Sequence, residues 1–317
     1  MKKTGFVLIL LISIISNSFI FSYDLGKLEL KNKIKIKKRM YNSIKYYKKI
    51  YYLSNFRNAK IEMFDKNFNL LKKILSKGKG PGEIFSMMGK TNFIFDIKNR
   101  KIIVFDILAQ RLHLYDIKGK FIETYNVNRA KKISRFKILD NNKIIFKYMG
   151  INTNKLFSIY KIENNDEKEL NYQLEVNGNL IKKVISKQCL FEIDKNYLFI
   201  TKKYSNEIIK YNYKKNKITK KITLDEFVKK PRIYISKKNI KKNKPAVYDI
   251  KLIDGTIFIL ISGKKDKQKS KYLISLNKNL KIKKYYILNN KIFNFDIFKN
   301  KIVCMTNNNI ILYKINY

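Results

Sequence analysis

The residue types that build catalytic and metal sites are scarce in this 317-residue chain, which has one histidine and two cysteines. With only His113, zinc sites made of several histidines are excluded, and Ser-His-Asp or Cys-His catalysis could use only this residue. Neither cysteine lies in a recognisable companion motif. His113 alternates with its neighbours on one face of a predicted strand, where a surface or interface position is expected. We therefore expect no catalytic residue, no metal site and no cofactor.

The two cysteines are too few for a disulfide framework and lack the paired spacing of a zinc site. Cys189 and Cys304 each lie in an apolar run, which favours two buried free thiols over the alternative of one shared disulfide. The one glycine-rich run contains Pro81, which has no amide to donate to a phosphate. Phosphate binding is therefore not predicted.

Proline and glycine are also few, at 3 and 11 residues, and no long segment has apolar residues at helical spacing. The apolar residues are mainly Ile, Tyr, Phe and Val, which suit the pleated surface of a sheet. These patterns predict an all-β fold.

The only long uncharged apolar run lies at the N-terminus, where Lys2 and Lys3 precede Phe6 to Ile15. This arrangement is typical of a secretory signal peptide, which we place at residues 1–22, before a single domain at 23–317. The run is short for a membrane span of about 20 residues, so a retained anchor is the alternative. We expect export to the periplasm or the extracellular space, with membrane tethering if the segment is not cleaved.

Lysine dominates the charge, because only seven of the 70 basic residues are arginines and the formal net charge is +46. Recognition of nucleic acid would favour arginine for its bidentate contacts, and the lysines are spread through every segment. Abundant Lys, Asn and Ile are typical of AT-rich coding. We expect no specific nucleic-acid binding and at most a weak contact with anionic surfaces, while a functional attraction to such surfaces stays the alternative.

Six copies of a repeat follow one another along the chain, each with a short apolar strand, a loop, a second strand, a tight turn and a third strand. The copies begin at Ile50, Ile102, Ile144, Tyr197, Ile257 and Ile302. A further apolar segment precedes most copies and supplies an innermost strand. Spacings of this size predict a six-bladed β-propeller with four-stranded antiparallel blades.

The last copy ends at Tyr317 directly after its third strand, while apolar and polar residues alternate near the N-terminus without a blade of their own. We predict that the segment Lys27 to Lys37 supplies the missing strand and closes the ring. Such pairing removes two exposed sheet edges.

Residues Gly78 to Phe85, with the sequence GKGPGEIF, resemble the G-x-G-P-G-E-F pattern of the exported bacterial six-bladed NHL-like β-propellers. The resemblance covers residues 70–125 well and the rest loosely. It departs from the family at Ile84, where Phe is usual, and in lacking the lipid-attachment cysteine that many members carry. It implies a loop that crosses from the first blade to the second, with Pro81 and Gly82 at the centre of a type II turn.

Two interpretations of this crossing stay open: a rigid loop in which Glu83 caps backbone amides, or a surface that presents charged groups to a partner. On the second interpretation, an unknown protein or carbohydrate partner docks on the face that carries the crossing, and we expect the propeller to be a monomer. The candidate contacts are Arg57, Lys79, Glu83, Arg111 and Tyr204.

The sequence favours a non-catalytic binding or scaffolding propeller, but it also allows a calcium-dependent hydrolase or lactonase. That alternative needs carboxylates that converge on the central channel. The candidates lie on or near predicted inner strands, and they are Asp96, Asp106, Asp194, Asp249 and Asp296.

Overall fold

A computed structural model gives the fold of the chain. It describes residues 24–36, 41–55, 58–87, 90–91, 93–127, 133–140, 142–148, 155–172, 184–228, 243, 245–263, 271–288 and 290–316. The predicted signal peptide lies outside these residues. Within them, no helix is long and apolar enough to cross a membrane.

Two strands precede the first blade: β1 (Asp24–Leu25) and β2 (Lys27–Lys35). Blade 1 then consists of β3 (Ser43–Tyr47), β4 (Ile50–Asn55), β5 (Lys60–Phe64) and β6 (Leu70–Ile74). The crossing to blade 2 contains four short strands, β7 (Ser76–Lys77), β8 (Glu83–Ile84), β9 (Ser86–Met87) and β10 (Lys90–Thr91).

Three further blades follow with the same order of strands from the inside to the outside. Blade 2 consists of β11 (Phe93–Lys98), β12 (Lys101–Asp106), β13 (Arg111–Asp116) and β14 (Phe121–Asn126). Blade 3 consists of β15 (Ile133–Ile138), β16 (Lys143–Tyr148), β17 (Phe157–Lys161) and β18 (Asp166–Glu169). Blade 4 consists of β19 (Cys189–Asp194), β20 (Tyr197–Lys202), β21 (Glu207–Asn212) and β22 (Lys217–Thr223).

The last two blades both include a strand from the N-terminus. Blade 5 consists of β23 (Val247–Ile253), β24 (Thr256–Ile261), β25 (Lys271–Asn277) and β26 (Ile282–Leu288), with β1 parallel to β26 on the outer edge. Blade 6 consists of β27 (Asn294–Phe298), β28 (Lys301–Met305) and β29 (Asn309–Asn316), with β2 antiparallel to β29 as its fourth strand. The fold is therefore a six-bladed β-propeller. Each predicted repeat start lies within one residue of the first residue of the second strand of a blade.

The predicted ring closure is confirmed, because β2 pairs with β29 from Lys27 opposite Asn316 to Lys35 opposite Asn309. A β-bulge between Leu30 and Asn32 interrupts the ladder. Leu30 is 58% exposed, so the regular alternation expected of this segment does not bury every apolar residue. The main contribution of β2 is its backbone pairing, and β1 ties the same end of the chain to blade 5.

The apolar core consists of six clusters of buried side chains, each lying between two neighbouring blades. Blades 1 and 2 enclose Tyr52 and Phe93, for example, and blades 6 and 1 enclose Tyr51 and Met305. Cys189 lies between blades 3 and 4, whereas Cys304 lies between blades 5 and 6, and both are buried free thiols. The blades therefore adhere through their faces, and the inner strands are left to line the central channel.

The direction of the inner strands defines two faces of the ring. Each inner strand begins where the chain enters from the preceding blade and ends at a turn, such as residues 48–49 or 254–255. We call the first side the crossing face and the second the turn face.

Candidate functional site

The Gly78 to Phe85 crossing is held against blade 2 by side chains of that blade. Arg111 Nη1 donates to the Lys79 carbonyl at 2.7 Å, and Tyr115 Oη donates to the Gly82 carbonyl at 2.6 Å. The fully buried Asp106 accepts the Phe85 amide through Oδ2 at 2.6 Å. Arg111 and Asp106 therefore act here as anchors for the loop.

Glu83 folds back onto its own loop, where its Oε2 accepts the Gly80 amide at 2.8 Å. The Glu83 amide donates to the Gly80 carbonyl at 3.1 Å, and Gly82 has a φ of 74°, as the predicted type II turn requires. A Cβ on Gly82 would also lie 2.8 Å from the Phe121 ring. Amide capping by Glu83 is thus present, as the first interpretation of this segment expects.

The structure brings together three of the five predicted contacts, namely Lys79, Glu83 and Arg111. Tyr204 follows β20 at the crossing face of blade 4, away from the Gly78 to Phe85 loop, and Arg57 lies outside the described residues. Whether a partner docks on this face stays a prediction.

Of the two positions expected for His113, the surface position is wrong, because the side chain is fully buried. Its Nδ1 lies 2.9 Å from Thr124 Oγ1, and Thr124 Oγ1 also accepts the Gly82 amide at 3.3 Å. Burial, followed by the nearby Arg111 charge, lowers the pKa of His113 to about 4. A neutral imidazole therefore packs beneath the crossing.

A second set of charged residues, which the sequence did not single out as a group, lies on the inner strands. Each blade contributes one residue at an equivalent position, opposite the third residue of its second strand. In blade order these residues are Lys45, Asp96, Lys137, Glu192, Lys251 and Asp296. The signs alternate around the channel, and we call this set the charge ring.

Two neighbouring couples of the charge ring form short ion pairs between blades. Lys45 Nζ lies 2.7 Å from Asp96 Oδ1, and Lys137 Nζ lies 2.6 Å from Glu192 Oε1. All four side chains are no more than 16% exposed. Ion pairs in such an environment are screened by water far less than surface pairs.

The pKa values of the charge ring follow from burial and the alternating charges. Burial alone would raise the pKa of Asp96, but the Lys45 and Lys137 ammonium groups outweigh it and hold that pKa well below the usual range. Burial would lower the pKa of Lys45, but nearby carboxylates, Asp96 foremost, outweigh it and raise that pKa. These two residues are therefore charged at neutral pH.

Further contacts join the blades one level closer to the crossing face. Arg135 Nη1 of blade 3 lies 3.7 Å from Asp249 Oδ1 of blade 5, and Asn294 Nδ2 of blade 6 donates to Asp249 Oδ2 at 3.1 Å. Asn294 Oδ1 in turn accepts the Ile44 amide of blade 1 at 3.0 Å. Polar side chains therefore cross the seams between blades at two levels of the channel.

A cavity of about 340 Å³ opens above the charge ring towards the turn face. All six charge-ring residues line it, together with the residues that follow them on the inner strands. Its rim includes Tyr47, Lys98, Ile253 and Phe298. A cavity of this size is suited to a small polar ligand and has fixed charges of both signs at its floor.

The carboxylates of the calcium alternative are divided between two places. Asp96, Asp249 and Asp296 do face the channel, but Asp194 pairs with Lys278 at 2.7 Å and Asp106 anchors the crossing. In the channel, lysines separate the carboxylates around the ring. No group of three or more metal-ligating side chains occurs within the part of the chain that the structure describes.

A signal for the charge ring was present in the sequence. Every inner strand has a charged residue five positions before the start of its second strand, or six positions before it in blade 3. The inner strand of blade 1, β3, does not stand out as an apolar segment, so the sequence alone does not reveal the alternation of lysine and acid around all six blades.

The sequence model of the DUF5128 family, described as a 6-bladed beta-propeller, matches residues 15–261. This match covers more than half of the chain, and the chain therefore belongs to that family. No curated protein matches the chain in sequence. The narrower resemblance to NHL-like propellers stays a prediction.

Solved structures share the fold at low sequence identity. A member of the DUF4221 family from Bacteroides vulgatus is 12% identical, with a TM-score of 0.61 over 93% of this chain and 99% of that one. A Bacteroides fragilis protein described as exported is also 12% identical, with a TM-score of 0.57 and the same coverage. Virginiamycin B lyase from Staphylococcus aureus is 11% identical, with a TM-score of 0.52 over 91% of this chain and 99% of the lyase. At these identities the similarity concerns the fold alone.

Proposed function

We propose that this protein is an exported, non-catalytic binding propeller that holds a small polar ligand in the cavity at the turn face of its central channel. The observation that carries the proposal is the cavity of about 340 Å³ whose floor is the charge ring. Export is proposed from the N-terminal segment at residues 1–22.

The chemistry of the floor supports binding over turnover. General acid-base catalysis works best with a group whose pKa lies near neutral pH. Asp96 is held as a carboxylate and Lys45 as an ammonium, and neither His113 nor a cysteine is among the lining residues. Asp96 and Lys45 therefore orient a ligand and do not exchange protons with it at neutral pH. Burial lowers the pKa of Lys137, but this lysine is engaged in the 2.6 Å ion pair with Glu192.

A panel of sugars, amino acids, nucleotides and small carboxylates tests the proposal by thermal shift. We expect at least one class to raise the melting temperature of the wild type by a few degrees through mass action. Ile253→Trp, which fills the rim of the cavity, should abolish the shift. Leu71→Trp on the exposed outer strand of blade 1 is the matched control and should leave it unchanged.

Mass spectrometry of the stabilising compound after incubation completes the test. We expect the compound to be recovered intact. Conversion of the compound, above all calcium-dependent opening of a lactone, would replace the proposal by the hydrolase alternative. A rise in melting temperature that persists in the Ile253→Trp variant would show that the compound binds outside the cavity.

A further inference from the structure

The three couples of the charge ring are not equivalent. Each lysine precedes an acidic residue of the next blade, and the first two couples form ion pairs at 2.7 and 2.6 Å. The third couple is Lys251 and Asp296, and among the described residues these two side chains do not form an ion pair with each other. Lysine and acidic residues therefore alternate in all six blades, but the ion pair between the two residues of a couple is missing at blades 5 and 6.

Other contacts account for this interruption. Lys251 Nζ lies 3.5 Å from Asp249 Oδ2 on its own strand, while Asp296 Oδ2 accepts the Tyr46 amide of blade 1 at 2.7 Å. Asp249 is itself shared with Arg135 and Asn294. Lys251 thus approaches a carboxylate that has two other partners. Asp296 forms no ion pair with a described ammonium group, although its charge raises the pKa of Lys45.

Both side chains nevertheless lie at the floor of the cavity, and they are only 7% and 8% exposed. Lys251 is only partly compensated, by the shared Asp249 carboxylate at 3.5 Å, and Asp296 interacts with Lys45, whose pKa it raises, without a short ion pair. A ligand that brings a further opposite charge to each of these groups would complete the compensation. Lys251 favours an anionic group of the ligand, and Asp296 favours a cationic group. A single ligand that carries both an anionic and a cationic group is a zwitterion.

The rim above this couple is apolar. Ile253 follows Lys251 on the same face of β23, and Phe298 follows Asp296 on the same face of β27, while Tyr47 completes this sector from blade 1. The rim on blade 2 differs, because Lys98 Nζ lies there and donates to the Leu139 carbonyl at 2.8 Å. An apolar side chain on the ligand would therefore contact the same sector that pairs with its charges.

We infer that the cavity binds a free α-amino acid with an apolar side chain. Its carboxylate would pair with Lys251 and its ammonium group with Asp296, and its side chain would pack on Tyr47, Ile253 and Phe298. This inference rests on the proposed function, because it assigns a ligand class to the same cavity.

Isothermal titration of the propeller with L-leucine tests the inference without any variant. We expect saturable binding of L-leucine and at least tenfold weaker binding of both N-acetyl-L-leucine and L-leucinamide, which each lack one of the two charges. Equal binding of the three compounds, or no binding of L-leucine at millimolar concentration, would overturn it. Binding of glucose in place of L-leucine would also overturn it while leaving the proposed binding function standing.

Two variants then assign each charge to its partner. The Lys251→Met variant should bind L-leucine at least tenfold more weakly than the wild type does, and no more tightly than it binds L-leucinamide. The Asp296→Asn variant should likewise bind L-leucine no more tightly than it binds N-acetyl-L-leucine. Lys161→Met removes a lysine from an exposed pair on blade 3 and should bind as the wild type does. If both channel variants melt like the wild type and bind L-leucine unchanged, the assignment is wrong.

Discussion

At the scale of single residues, the charge ring lets six largely buried charges coexist in one channel. Desolvation of an isolated charge is expensive, and alternation places every charge between two of opposite sign. Lys45, for example, has its pKa raised by the carboxylates of Asp96, Asp296 and Glu192 together. Lys137 shows the limit of the arrangement, because burial and two neighbouring lysines lower its pKa despite the Glu192 carboxylate.

Asp96→Asn tests the contribution of this alternation to stability. The substitution keeps the size of the side chain but leaves the buried Lys45 without its closest counter-charge, so we expect a loss of about 3 kcal/mol in the free energy of unfolding. Because the folded pKa of Asp96 is depressed, this contribution is complete above the unfolded value of about 4 and falls away at lower pH. Urea denaturation should therefore show a constant gap between wild type and variant from pH 5 to 8, which narrows below pH 4.

The matched control is Asp166→Asn, which removes a carboxylate from a pair with Lys161 that is about half exposed. Exposed pairs contribute little, so its effect should stay below about 0.5 kcal/mol. A gap for Asp96→Asn that is no larger than that of the control, or one that does not depend on pH, would show that the ring is not a source of stability.

At the scale of elements, most strands could be predicted, because their apolar residues recur with the same pattern in every blade. The type II turn and the Glu83 cap were also predictable, since both depend on residues within six positions of each other. The inner strand β3 could not be predicted, because its sequence SIKYY is flanked by further tyrosines and lysines, and the pattern therefore does not show where the strand begins and ends. The partners in the charge ring were not predictable either, since Lys45 and Asp96 meet only after separate blades have packed side by side.

The N-terminal strands decide whether those blades form a closed ring. β2 supplies the fourth strand of blade 6, and β1 adds a parallel strand to blade 5. Deletion of residues 23–38 would leave the outer edges of both blades exposed and remove a tether between the two ends of the chain. We expect a sharp fall in melting temperature, or aggregation, in the truncated protein.

A complementation experiment keeps this prediction informative even if the truncated protein aggregates. A synthetic peptide of residues 23–38 should restore soluble protein and raise its melting temperature, whereas a peptide of the same composition in scrambled order should not. A truncated protein with an unchanged melting curve would mean that closure by β2 contributes nothing to stability.

At the scale of the whole molecule, the formal net charge of the chain is +46, and lysines of the described outer strands lie around the circumference of the ring. Exposed lysines occur on outer strands of different blades, for instance Lys72 and Lys73 on β6 and Lys217 on β22. The channel differs from this circumference, because the charge ring contains equal numbers of lysines and acidic residues. Among the residues that the structure describes, most of the excess of lysine therefore lies outside the cavity, and it bears on solubility and non-specific contacts more than on the proposed ligand.

We predict that the protein without residues 1–22 binds DNA or heparin weakly, without sequence preference, and with a steep dependence on salt. Binding through about six phosphates loses roughly a thousandfold in affinity between 50 and 200 mM salt, because the release of counterions drives it. Fluorescence titrations at both salt concentrations measure this loss. If no single blade carries the binding site, the double substitution Lys72→Glu and Lys73→Glu on blade 1 should weaken binding about as much as Lys283→Glu and Lys284→Glu on blade 5. Abolition of binding by one of these pairs alone, or tight binding that survives 200 mM salt, would instead indicate a local site for an anionic polymer.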